Sequence, residues 1–244
     1  MGAPVVSILE AADYPEQIAH GAQMLRDGNV VVMPTETVYG AAGIVNNPAA
    51  MAKLKAFRRS DESPLTIHLG KADEAMKYIG QTSQLGHRMM RKLWPGPVGL
   101  TFDVEQPTRK QVSAELNVAE HDLYRNGAIT LRCPDHTVAK DLLEAADAPV
   151  VATTVTTNHW AALADQVDLI LDAGPTRYSK PSTLVKISGE SYQIARIGVY
   201  DERIIEKLLK TTILFVCSGN TCRSARSGWC SISCGHRRSP CSCW

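Results

Sequence analysis

At 244 residues the chain is long enough for one large domain, or for one domain and a fragment. Its 44% hydrophobic and 21% charged residues suffice for a full core, and a formal charge of +1 excludes a global attraction to nucleic acid or membrane, so any polyanion site must be local. No basic stretch followed by an apolar one opens the sequence, and no run approaches the roughly 20 apolar residues of a membrane span, so a cytoplasmic protein is expected.

The apolar spacing of Ile18 to Asp27 predicts a helix, closed by Gly28-Asn29 before a strand at Val30–Met33. That strand ends at Pro34 and delivers Thr35, Glu36, Thr37 and Tyr39 onto a loop, PTETVYG, where α/β proteins place small polar ligands. Pro48 to Phe57 reads as a helix with Met51, Leu54 and Phe57 on one face, and Leu65 to Leu69 as a short strand. Asp73 to Ile79 and Leu85 to Leu93 read as helices, the second stopped by Trp94-Pro95-Gly96-Pro97, whose prolines fix the backbone while Trp fills a core edge. Arg88, Arg91 and Lys92 on that helix read as a solvated face rather than an RNA patch. Strands follow at Gly99–Val104 and Ala128–Arg132, then a helix at Val138–Ala145. Strands at Ala148–Thr154, Val167–Leu171 and Ser182–Ile187 and a helix at Ile204–Leu209 complete the body. Strands and helices mix without a strict βαβ beat, which predicts an α/β fold with a twisted mixed sheet and flanking helices.

Beyond residue 210 the text changes. Thr212 to Val216 is a new apolar strand, followed by CSGNTCRS at Cys217 to Ser224. Of seven cysteines, only Cys133 precedes Cys217, and no Asp or Glu occurs from Thr211 onward. The cysteine-poor body fits a reducing compartment, and the terminal cluster needs its own explanation.

Taken in order, PTETVYG, Phe57-Arg58-Arg59 leading to Ser63-Pro64-Leu65 and His68, WPGP at Trp94, Arg132-Cys133-Pro134 with His136, Pro181-Ser182-Thr183-Leu184-Val185 and Arg196-Ile197-Gly198 resemble the YrdC family of threonylcarbamoyl-AMP synthases. The resemblance covers residues 5 to 205 and implies ATP-dependent condensation of L-threonine with bicarbonate to threonylcarbamoyl-AMP and pyrophosphate. That product supplies the threonylcarbamoyl group for adenosine 37 of tRNAs reading codons that begin with A. Mg²⁺ is implied with ATP; tRNA or double-stranded RNA and the threonylcarbamoyl-transferase machinery are implied partners. Carried over position by position, the resemblance puts Thr37, His68, Arg132 and Ser182 around L-threonine, with Arg132 taking its carboxylate. It puts Arg59, Ser63, Thr154 and Arg196 at ATP, and makes Arg59 and Thr37 catalytic. No metal ligand from the protein is implied.

Three positions depart from the family pattern. Phe57 stands at the Lys of KxR, with Lys55 or Arg58 as substitutes; Gly99 stands at the Thr of WPGPxT; and Thr154-Val155-Thr156 stands at SxN, with Asn158 two residues on. A degenerate member of the same fold that binds nucleotide or double-stranded RNA is therefore the rival reading.

The string ILFVCSGNTCRS resembles the start of low-molecular-weight tyrosine phosphatases and their arginine-phosphatase relatives. It gives Cys217 as nucleophile and Arg223 as phosphate holder. With no carboxylate after Glu206 and about 20 residues beyond the motif, this segment supplies no general acid. The expected organisation is a YrdC-like domain at 1–210 and a truncated phosphatase stub at 211–244, disordered after 226. Phosphatase activity would belong to a full-length form. Metal binding by Cys230, Cys234, His236, Cys241 and Cys243 is the alternative, although their spacing matches no standard zinc pattern.

Overall fold

A left-handed glycine follows the first α-helix of the molecule. Gly28 has φ +85°, and the amides of Gly28 and Asn29 return to the carbonyls of Leu25 and Met24 at 3.0 Å each. This closes α1 (Tyr14–Arg26) and aims the chain into a strand. The computed structural model describes residues 2–57, 65–155 and 160–210. Among them, the strands are β1 (Val5–Ser7), β2 (Val31–Met33), β3 (Gly40–Ile44), β4 (Thr66–His68), β5 (Val98–Asp103), β6 (Ala128–Arg132), β7 (Val150–Thr154), β8 (Leu169–Asp172), β9 (Thr183–Ser188) and β10 (Ser191–Arg196). The remaining helices are α2 (Pro48–Phe57), α3 (Met76–Ile79), α4 (Gln84–Leu93), α5 (Gln106–Glu115), α6 (Glu120–Leu123), α7 (Thr137–Ala146) and α8 (Glu202–Leu209).

The strands form one mixed sheet in the order β1-β8-β2-β3-β7-β4-β6-β5-β9-β10. The β4/β6 and β5/β9 pairs are parallel, whereas β3/β7, β4/β7 and β5/β6 are antiparallel, as the irregular alternation of elements predicts. Because side chains alternate across a sheet, Ile67, Leu100, Leu131, Val151 and Val185 share one face. They pack with Leu54 of α2, Met89 of α4 and Ile205 of α8 in the larger core.

The opposite face is divided. On β2, β3, β7 and β8 it carries Val31, Met33, Ala42, Val150, Ala152 and Leu169, covered by α1 and α7 through Leu25, Val138 and Leu142. Val150 pairs with His68 and Ala152 with Thr66, so the same face continues onto β4 and changes character there. Beyond that boundary it presents Thr66, His68, Thr130, Arg132 and Thr101, with His68 opposite Arg132 and Thr130 opposite Thr101. A face of this chemistry gains little from an apolar helix and would lose much by desolvation. It is the polar part of the sheet, with His68, Thr130 and Arg132 themselves buried.

Five elements escaped the sequence reading: β1, β3, β10, α5 and α6. Strand β3, Gly-Ala-Ala-Gly-Ile, has the composition of a turn. Its small residues reflect crowding, since a Cβ on Gly43 would meet Ala50 and Leu54 of α2 at 3.1 Å. The expected helix at Asp73–Ile79 is a 3-10 turn at Ala72–Ala75 running into α3. No helix of the described residues is long and apolar enough to cross a membrane.

Candidate active site

The loop between β2 and β3 orders its hydroxyls in sequence. Thr35 Oγ1 donates to the Val38 carbonyl at 2.6 Å and accepts from the Thr37 amide at 3.3 Å, so Thr35 shapes the turn. With the Thr35 hydrogen committed, the Thr37 hydroxyl donates to Thr35 Oγ1 at 3.0 Å and accepts from Arg132 Nη2 at 2.9 Å. The same Nη2 reaches Glu36 Oε1 at 2.8 Å. Glu36 is 2% exposed and Arg132 5%, so this ion pair is sealed from solvent. The amide of Tyr178 donates to the Glu36 carbonyl at 3.0 Å and ties the loop to the segment before β9.

His68 is Arg132's neighbour on the parallel ladder and is also buried. Its Nδ1 lies 3.0 Å from the Thr66 carbonyl, which can only accept. Nδ1 therefore carries the hydrogen, and Nε2 keeps its lone pair for a ligand. Burial, then the positive charge of Arg132, pushes the His68 pKa down to about 3. His68 is a neutral acceptor at every physiological pH.

Arg196 Nη2 donates to Ser182 O at 2.9 Å and to Ser182 Oγ at 3.2 Å, and Nε donates to the same carbonyl at 3.2 Å. Burial and the nearby Arg132 both hold its pKa below the ordinary guanidinium value. Two guanidinium groups within electrostatic reach of one another, with a single buried carboxylate on one of them, leave the site positive. Anions are favoured there.

Of the predicted residues, the structure therefore joins Thr37, Arg132 and His68, and places the Ser182–Arg196 pair close enough to feel Arg132. Thr154 ends β7 opposite Gly40 and is exposed. It lies four residues along the strand from Val150, the partner of His68, which is roughly 13 Å at strand rise. No contact among the described residues links it to the cluster. Arg59, Ser63, Thr156, Asn158, Cys217, Arg223 and the terminal Cys/His group lie outside the described residues. Sequence reasoning missed Glu36 as a site residue. Its signal was a carboxylate set among hydroxyls at a strand end; its partner stands 96 positions away. Trp94 is structural as expected, its Nε1 donating to the Val98 carbonyl at 2.7 Å and its ring edge-on to Phe102.

The departure at Gly99 has a packing reason. Gly99 pairs with Leu184, and a Cβ there would stand 2.6 Å from Leu184 Cδ2. Leu184 stands where the family pattern, Ser-Thr-Val, has its Val after Ser182-Thr183, so a larger residue on β9 fills the space vacated on β5. Gly99→Thr alone should cost about 1–3 kcal/mol in urea unfolding through overpacking. Adding Leu184→Val should restore most of it; an equal loss in the single and double variants would refute the coupling.

Residues 23–198 match the family designated Sua5/yciO/yrdC and described as "Telomere recombination". A Bacillus subtilis protein named threonylcarbamoyl-AMP synthase is 26% identical over 212 residues, covering 82% of this chain and 58% of that one. The chain thus spans little more than half of that relative. A Mycobacterium tuberculosis protein provisionally assigned the same name is 30% identical over 209 residues, covering 80% of this chain and 92% of its own length. The fold matches that of Pyrococcus abyssi Sua5 crystallised with L-threonine at a TM-score of 0.66 and 23% identity, over 80% of this chain and 57% of that one.

Proposed function

The chain belongs to the Sua5/YciO/YrdC family, and we propose that it is an L-threonylcarbamoyladenylate synthase, condensing L-threonine, bicarbonate and ATP to threonylcarbamoyl-AMP and pyrophosphate. The reading is supported above all by the buried Arg132–Thr37 contact beside a neutral His68 on the polar half of the sheet. The amine of threonine attacks the bicarbonate carbon, forming an N–C bond and releasing water. A carbamate oxygen then attacks the α-phosphorus of ATP, and the bond to pyrophosphate breaks. Such chemistry needs anions held in line more than it needs a strong acid or base.

In this scheme Arg132 takes the threonine carboxylate in a charge-assisted pair, and His68 Nε2 accepts from the threonine hydroxyl. Arg196, fixed by Ser182, faces the phosphates, and Arg59, Ser63 and Thr154 complete the nucleotide side. Mg²⁺ would neutralise charge on the ATP phosphates. The ion is proposed to travel with the nucleotide, as Mg²⁺ does at sites where substrate phosphates supply its ligands. The product would pass to the transferase machinery that modifies tRNA in the cytoplasm.

The test is incubation with ATP, bicarbonate and labelled L-threonine. Threonine-dependent pyrophosphate and a labelled adenylate are expected. Nucleotide binding with neither product would remove the synthase reading and leave a binding protein of the same fold.

A further inference from the structure

Three polar atoms near the cluster are buried without a partner among the described residues: Glu36 Oε2, Arg132 Nε and His136 Nδ1. A buried group left unpaired is costly, and at a candidate site the simplest account is a ligand that completes it. Glu36 is the member that the sequence resemblance leaves without a role. Its Oε1 is committed to Arg132, its main-chain oxygen to Tyr178, and its side chain is closed off from solvent. An ionised carboxylate oxygen can only accept, and a guanidinium nitrogen can only donate. An acceptor-only orphan beside a donor-only orphan is complementary to a molecule carrying a cationic donor next to an anionic acceptor. An α-amino acid zwitterion has that pattern.

We propose that Glu36 anchors the α-amino group of the amino-acid substrate: Oε2 accepts from the substrate nitrogen, while Arg132, held by Glu36 Oε1 and Thr37, presents Nε to the substrate carboxylate. This rests on the threonine reading above and adds a recognition element to it. Arg132 and Arg196 alone would collect any small carboxylate. The negative charge of Glu36 penalises a plain carboxylate and rewards one that brings its own ammonium, so the pair selects amino acids from simple acids. It also fixes the nitrogen that must meet bicarbonate.

Calorimetric titration of the full chain compares L-threonine with 3-hydroxybutanoate, the same skeleton without the amino group. The wild type should bind threonine roughly ten- to a hundredfold more tightly, as a charge-assisted hydrogen bond provides. Glu36→Gln should erase most of that ratio by weakening threonine alone. If Glu36 merely holds Arg132, the variant weakens both ligands by the same factor, and the inference is overturned. A wild type that binds both ligands equally overturns it without any variant, and leaves threonine recognition intact. A wild type that binds neither takes down the functional reading and this inference together.

Discussion

Arg132→Ala is expected to abolish threonine-dependent pyrophosphate release and to lower folding stability by about 3–5 kcal/mol. Exposed ion pairs contribute about 0–1 kcal/mol, but here the arginine side chain is 6% and the glutamate 2% exposed. Removing the guanidinium leaves Glu36 as an uncompensated buried charge, and leaves Thr37 without its donor. Loss of the substrate carboxylate pair would weaken threonine by a further 2–4 kcal/mol, on the order expected for a desolvated charge-assisted contact. The two effects separate cleanly. Adding Glu36→Gln to the Arg132→Ala variant removes the stranded charge, so urea unfolding should recover while threonine binding does not. Arg132→Lys keeps a charge without the planar fork, so it should fold well and bind poorly. An Arg132→Ala protein with unchanged threonine affinity would remove this residue from the site.

These expectations draw unequally on sequence and structure. The apolar run ending in PTETVYG was readable because a strand–loop boundary is written in adjacent residues. Arg132 and His68 were readable as polar residues closing apolar strands. Their convergence was legible only through the family resemblance and not from local pattern, since it depends on β4 and β6 pairing in parallel so that His68 and Arg132 fall side by side. Glu36 escaped for a related reason. A glutamate among threonines on a loop looks solvated until Arg132 from β6 and Tyr178 from the segment before β9 are brought against it. Strand β3 escaped because its residues answer to the helix packed on them and not to strand propensity. In each case the missing information was a long-range contact, and local periodicity carries none.

His68 supplies the second large effect, and its sign follows from burial. An unfolded chain holds histidine at its ordinary value near 6.5, whereas the folded protein pushes it down to about 3. Between those limits the unfolded state binds a proton that the native state refuses. Stability therefore rises with pH through this window and is lost as pH falls. The slope approaches 1.4 kcal/mol per pH unit, which integrates to about 1.6 kcal/mol between pH 6.5 and 5, above the ordinary carboxylate range. His136, also held below its ordinary value by burial, contributes in the same direction. Urea unfolding of wild type, His68→Gln and His136→Gln across pH 7 to 5 apportions the slope. His68→Gln should flatten it more, because His68 is the more deeply buried ring. Substrate recognition should behave in the opposite way: with Nε2 unprotonated throughout, threonine affinity should show no break near pH 6.5. A break there that His68→Gln abolishes would mean that the imidazole titrates normally, and that the lone pair assigned to the threonine hydroxyl is not preserved by its surroundings.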